Sequence, residues 1–516
     1  MSEIVNQSLQ KIAKGTGIIF TGTIIGMLLG FVCRVIIVRY ITQSEYGIFS
    51  LALILLNIFT MISTLGLHSG VTRQIAFYRG KKDSEKVSGI VKSSIQIALV
   101  ASIFLSIFLF FVSDIISVKA FHSLELSGPL KIFAVAIPSS VFITIFTSIF
   151  QGFDRVEPNI YFQNILRNVF LLPLLGIVIL FGLSFIDVVY AYLASIFFTC
   201  IVFAVYATKR LPISVTGATN VGPLRKELLL FSLPLLATSA LGMIMQWTDT
   251  LLLGYFKAPE VVGLYNAALP LANLIPVVLT SMLFLYVPIA SQLYSQNSIA
   301  EMRKNYAILT KWMFTLTLPL FLIIFLFPET VLNILFGSRY IQADTALQIL
   351  ALGMFFNTFL GPNGATLMTA GKAKFLMWTS LIGTIMNLAL NIFLIPLLGI
   401  IGASIASASS LTMINLLNST WIYLLFRINP FTKNYIKPII ASIILAFIIS
   451  LLSKSLFDVL SVWVLLIVFI LFFVVYGLSI LLTKSFDNED IVMLLAIEKR
   501  TGINANFIKG ILRRFL

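Results

Sequence analysis

NILRNVFLLPLLGI, residues 164–177, and NLALNIFLIPLLGI, residues 387–400, are two versions of one segment. Nine of their fourteen positions are identical, including both asparagines, the proline and the glycine. Leu and Ile matches mean little in apolar sequence, whereas two Asn, one Pro and one Gly at fixed spacing mark an internal repeat. A second match pairs RVIIVRYITQSEYGIF, starting at Arg34, with DTLLLGYFKAPEVVGLY, starting at Asp249. Tyr40 and Tyr255 each follow the charged residue by six, and Gly47 and Gly263 agree after a one-residue gap.

Outward from these segments the chain is apolar almost throughout. Apolar residues form 59% of 516 positions, charged residues 11%, and the mean hydropathy is +1.03. No water-facing globular surface has that composition. A membrane-spanning helix needs about 20 apolar residues. Runs of that length occur at 15–38, 45–68, 91–113, 130–152, 163–183 and 187–208, then, after a polar connector, at 229–256, 263–290, 305–327, 343–368, 375–398 and 401–426. Two more runs, 435–453 and 459–483, precede a polar tail. The expected fold is all-α and membrane-embedded, with about 14 transmembrane helices. Its parts are an N-terminal six-helix half (1–209), a cytoplasmic connector (210–228), a C-terminal six-helix half (229–427), an extra pair (435–484) and a cytoplasmic amphipathic tail (485–516). Each half has an even number of spans, so both run in the same direction and a pseudo-twofold axis lies along the membrane normal.

With the N terminus inside, 28 of the 35 Lys and Arg residues fall on the cytoplasmic side, six outside, and Arg34 within a span. This asymmetry predicts a multi-pass protein of the cytoplasmic membrane with both termini cytoplasmic. The net charge of +15 is scattered between apolar runs without interleaved aromatics, which argues against nucleic acid as a partner. The largest basic cluster, Arg73, Arg79, Lys81, Lys82, Lys86 and Lys92, reads as a topogenic loop beside anionic headgroups. The first run is too long for a signal peptide and has no small-residue cleavage site after it. Cys33 and Cys200 fall inside spans and imply no disulfide, and His68 and His122 stand without metal-ligand spacing. No cofactor, metal or catalytic residue is expected. A phosphate-binding loop for nucleotide hydrolysis is missing from the sequence.

An ionisable group in the apolar layer needs a reason to be there. Arg34 lies four residues from the outer end of its span, within reach of the interface by snorkelling. Asp249 lies seven residues from its span end, too deep for a short side chain, and so needs a partner or a wet cavity. The repeat puts the two at equivalent positions, where they form either a structural ion pair or opposing walls of a cavity between the halves. Arg167, between Asn164 and Asn168, and Lys311, beside Trp312, sit near the inner ends of their spans. They either snorkel or extend a cationic path toward Arg34. Asn164, Asn168, Asn387 and Asn391 are either cavity-lining residues or interhelical glue. Prolines within spans, such as Pro173 and Pro396, permit kinks.

The twelve spans in two halves with a terminal pair, Glu45-Tyr46-Gly47 after the first span, and LGLHSGVTRQIA at 65–76 closing the second together resemble the polysaccharide-biosynthesis flippase family. Its superfamily also holds multidrug and toxin extrusion transporters and lipid II flippases. The resemblance implies transfer of a lipid-phosphate- or lipid-pyrophosphate-linked oligosaccharide from inner to outer leaflet by alternating access. Arg34 would then attract the phosphate, and Asp249 would either release it or bind a coupling cation. Extrusion transporters use a membrane-embedded acid for Na+ or H+ coupling, and Asp249 resembles that usage. The expected partners are the lipid-linked substrate and membrane lipids, and the expected state is a monomer. The alternative is a cation-coupled multidrug-type exporter, which would require acidic or aromatic cavity walls. A polytopic glycosyltransferase or polymerase ranks third, because the longest outer loop, 114–129, is short.

Overall fold

The computed structural model describes residues 3–155, 157–211, 221–429, 470 and 474–478; side chains are described for fewer. The described residues contain helices and no strand. Among the described residues ten helical runs are long and apolar enough to cross a membrane, or eleven if one bent pair counts as a single span. The expected terminal pair and tail lie almost wholly outside the described residues.

The chain falls into two compact units, Met1–Gly263 and Leu264–Leu516. The first contains α1 (Glu3–Tyr40), α2 (Gln43–Thr64), α3 (Leu67–Gly80), α4 (Ser84–Ile115), α5 (Ser127–Gly152), α6 (Arg167–Leu180), α7 (Phe185–Arg210) and α8 (Val221–Phe256), and ends inside α9 (Pro259–Ala272). The second continues with α10 (Val277–Ser295), α11 (Ile299–Leu326), α12 (Pro328–Phe336), α13 (Asp344–Phe359), α14 (Asn363–Thr369), α15 (Ala373–Leu398) and α16 (Ile400–Phe426). The unit boundary thus falls after α8, the seventh run, because α8 packs on α2, α3 and α4. Helix α8 begins at Val221, so the last part of the expected connector is already helical.

Several spans depart from an uninterrupted α-helix. The chain after α2 turns through two left-handed residues, Leu65 (φ 49°) and Gly66 (φ 75°), and restarts as α3. The basic segment expected as a loop is therefore mostly helix: Arg73 and Arg79 lie on α3, and Lys86 and Lys92 on α4, which Asp83 caps by accepting from Lys86 N. The fifth run opens as a π-helix, Asn159–Leu166, before α6 continues it. In the tenth run Gly361 (φ 78°) and Pro362 separate α13 from α14. The freed polar groups there are tied down from neighbouring helices. Tyr306 Oη donates to Leu360 O at 2.5 Å, and Asn363 Nδ2 donates to Asn415 Oδ1 at 3.0 Å and Ser419 Oγ at 3.2 Å. An apolar layer offers no water for such groups, so side chains must supply the partners.

The glycines matched by the repeat, Gly47 on α2 and Gly263 on α9, meet. A Cβ on Gly47 would lie 1.8 Å from Pro259 O, and one on Gly263 would lie 2.1 Å from Gln43 O. Each glycine thus faces the carbonyl four residues before the other.

Candidate functional site

Helix α1 packs against the π-helical segment and α6 through a stripe of glycines. A Cβ on Gly22 would lie 2.4 Å from Ile160 Cγ2, one on Gly26 2.6 Å from Asn164 Cβ, and one on Gly30 3.3 Å from Asn168 Nδ2. At the far end Tyr40 Oη donates to Val178 O at 3.2 Å and Leu183 O at 2.6 Å. Residues 22, 26, 30 and 40 thus meet 160, 164, 168 and 178 in one constant register, so the first and fifth runs are parallel. That direction agrees with both being odd-numbered spans. Small residues every fourth position let two backbones approach in lipid, where no hydrophobic force drives them together. GTIIGMLLG at 22–30 carries the stripe in the sequence, and reading for G-x3-G would have found it.

The asparagines join this seam. Asn168 is buried and its Nδ2 donates across to Gly26 O at 3.2 Å and back to Asn164 O at 2.8 Å. Cys33 Sγ donates to Asn168 O at 3.7 Å. In the second unit Asn391 Nδ2 donates to Asn387 O at 2.9 Å, the same i to i−4 bond on α15. Asn387 and Asn391 are both buried. Of the two roles open for these amides, Asn168 fills the adhesive one.

Beside the seam stand two arginines. Arg34, next to Cys33 on α1, is exposed at the protein surface, and its charge is within electrostatic reach of Tyr46, in the Glu45-Tyr46-Gly47 motif. Arg167 sits at the junction of the π segment with α6. Its guanidinium lies over the Tyr192 ring of α7, 5.7 Å from the centroid, and its Nε is buried without a hydrogen-bond partner. Among the described residues neither arginine takes part in an ion pair. They differ in depth by five residues of register, about 7.5 Å at the helical rise. Tyr192 was not singled out from sequence, because a ring that holds a cation looks like any other aromatic in an apolar run.

Asp249, on α8, is 4% exposed between buried Thr248 and Thr250, and it is engaged by a neighbouring group. Lys311, on α11 in the second unit, is 5% exposed and also engaged, so it is packed inside the protein instead of reaching for an interface. The structure therefore brings Arg167, Asn164 and Asn168 to one helix seam, while Arg34, beside it on α1, is exposed with Tyr46 of α2 within electrostatic reach. Asp249 stands on another helix of the same unit, and Lys311, Asn387 and Asn391 belong to the second unit.

Such an arrangement is suited to an anion. The two guanidiniums, in the first and fifth apolar runs, hold ten N–H donors between them, and Arg matches phosphate bidentately. Their charge in the apolar layer is unfavourable until a counter-charge or water meets it.

Comparison with known proteins bears on the fold and the family. The sequence pattern of the polysaccharide biosynthesis protein family matches residues 12–294, and that of the MatE family matches residues 234–393. The stage V sporulation protein B of Bacillus subtilis (strain 168) is 22% identical, over 86% of this chain and 90% of that protein. A Haloferax volcanii protein named as a probable low-salt glycan biosynthesis flippase is 23% identical, over 80% of this chain and 83% of its own length. Among solved structures, the lipid II flippase MurJ in an inward closed conformation superposes with a TM-score of 0.69 at 15% identity, covering 89% of this chain and 97% of that one. The fold is thus one shared with membrane flippases, and with more than half of its length matched by the family pattern, the chain belongs to the polysaccharide biosynthesis protein family.

Proposed function

We propose that this protein is a flippase that moves a lipid-linked oligosaccharide, bearing a phosphate or pyrophosphate, from the inner to the outer leaflet of the cytoplasmic membrane by alternating access. The observation that carries the reading is the pair Arg34 and Arg167, two cations in apolar spans with no carboxylate partner among the described residues. A site of that sign favours an anionic group and disfavours the cationic amphiphiles that drug exporters carry. Family membership and the relative named for glycan flipping support the same substrate class. The repeat between halves, and the mutual approach of Gly47 and Gly263, support a pseudo-twofold axis along the membrane normal. In this reading the chain works as a monomer with both termini cytoplasmic, and makes or breaks no covalent bond.

Transport against a gradient needs a driving force, and Asp249 is the residue assigned to it. A buried carboxylate in a span binds Na+ or H+ in one state and loses it in the other. The MatE match over residues 234–393 includes Asp249 and favours this role; it also sustains the second reading, a cation-coupled exporter.

The deciding experiment reconstitutes the purified chain in vesicles with a lipid-linked glycan and measures how much becomes accessible in the opposite leaflet. The expected result is protein-dependent translocation, lost in Arg34→Ala at equal protein incorporation. Full translocation by Arg34→Ala removes Arg34 from the mechanism. Efflux of cationic dyes with no movement of the glycan lipid establishes the second reading instead.

A further inference from the structure

The contact between α2 and the first turn of α9 has a symmetry of its own. Gly47 abuts Pro259 O and Gly263 abuts Gln43 O, and the built Cβ positions lie 3.0 and 3.2 Å from the backbone nitrogens of Gly263 and Gly47. Each residue meets the partner's equivalent, four positions back, as in an isologous contact across a twofold axis. These are the same two glycines that the internal repeat aligns. Any side chain at either position collides with backbone, which cannot rotate away.

The surroundings make each face rigid. Helix α2 is fixed at its start by a capping box: Glu45 Oε2 accepts from Thr42 N and Oγ1 at 2.8 Å each, and Thr42 Oγ1 accepts from Glu45 N at 3.3 Å. Pro259 opens α9, where its fixed φ suits a first helical turn. At the two glycines no side chain stands between the helices, so backbone seals directly against backbone.

We propose that Gly47 and Gly263 form the external closure of the transport path, a backbone-to-backbone seal on the pseudo-twofold axis that must part in every transport cycle. The proposal rests on the flippase reading for its side of the membrane, because the first span leads outward to α2 in that orientation. Closure depends on the absence of a Cβ at two related positions. Alanine at either one therefore excludes the sealed state and favours the parted one.

The test needs no substrate. Cys33 and Cys200 are replaced by Ala, and Ser50, a buried residue one turn beyond Gly47, becomes the reporter as Ser50→Cys. Intact cells expressing the full chain are treated with a membrane-impermeant maleimide. Because a seal closed about 99% of the time exposes its interior only about 1% of the time, Gly47→Ala and Gly263→Ala should each raise the labelling rate at least about tenfold. Gly80→Ala, where a Cβ meets nothing within 4 Å, should leave it unchanged. A rise below about twofold in both variants at equal membrane protein level, or an equal rise in Gly80→Ala, overturns the proposal. If neither alanine variant inserts, the glycine-intact Ser50→Cys protein decides: slow but complete labelling supports a seal that parts, and full protection through many turnovers overturns it. A protein that moves no glycan lipid yet shows the labelling contrast refutes the flippase reading alone.

Discussion

Substituting Gly26 by Ala should destabilise the first unit more than removing the asparagine amide that crosses the same seam. A Cβ at residue 26 would lie 2.6 Å from Asn164 Cβ and 3.0 Å from Asn164 O. Carbon atoms in comfortable contact sit about 3.5–4.0 Å apart, so α1 must move out by about 1 Å, which forfeits roughly a quarter to a half of each contact's dispersion energy. Overpacking of this kind costs about 1–3 kcal/mol. Outward movement also stretches the Asn168 Nδ2 to Gly26 O bond, already 3.2 Å long. Asn168→Ala loses that bond and the one to Asn164 O, and a hydrogen bond between membrane helices is worth about 0.6 kcal/mol on average. Gly176→Ala, where a Cβ meets nothing within 4 Å, serves as the control and should be neutral or slightly stabilising. The fraction of each variant remaining folded in mild detergent after stepwise heating, read by size exclusion, ranks the three. Asn168→Ala proving as damaging as Gly26→Ala would refute the view that backbone proximity, and not the amide, holds this seam.

The arginines should separate by what supports them. Arg34→Ala should abolish glycan-lipid movement with insertion intact, and Arg167→Lys should impair it, since an ammonium loses the planar stacking on Tyr192 and the forked donors; full transport by both variants in the vesicle assay would remove the anion site. Asp249→Asn should make transport indifferent to imposed Na+ and H+ gradients, and an unchanged gradient response would return Asp249 to a structural role. Gly361→Ala should destabilise the second unit by about 2 kcal/mol or more, because a non-glycine residue at positive φ costs about 1–2 kcal/mol and its Cβ would lie 2.2 Å from Thr310 Oγ1. A melting temperature equal to that of the unsubstituted protein would contradict it.

Depth along each span was legible in the sequence, and direction around each helix was not. Hydropathy located the apolar runs, because the membrane enforces length and composition. Pairing Arg34 with Asp249 by the repeat gave two residues at equivalent positions and left an ion pair open; among the described residues Arg34 forms none. Equivalence in a repeat says nothing about which faces two helices present. The segment after residue 65 looked like a basic loop because Arg73, Arg79, Lys81, Lys82, Lys86 and Lys92 follow one another in it. It is a helix because Leu65 and Gly66 take left-handed conformations, which reorient the chain and let Leu67, Val71, Ile75 and Tyr78 form a buried stripe. A run counted as a polar interruption was an amphipathic helix at a spacing that the span filter does not test.

The repeat preserves backbone devices more faithfully than charges. Gly47 and Gly263 match and meet, and Asn164–Asn168 and Asn387–Asn391 make the same i to i−4 bond. Arg34 is answered by Asp249, and Arg167 by Leu390. Duplicated halves that rock about a shared axis need like packing surfaces, because a seal between unlike faces would not open and close symmetrically. The cargo has no twofold symmetry: a phosphate joins a lipid at one end and a glycan at the other. A cavity for it needs unlike groups at matched positions, such as Arg34 and Asp249. In the flippase reading, symmetric glycines and asymmetric charges are thus two requirements of one task, and the tests above address them separately, since the Gly47 substitution leaves Arg34 in place and the Arg34 substitution leaves the seal intact.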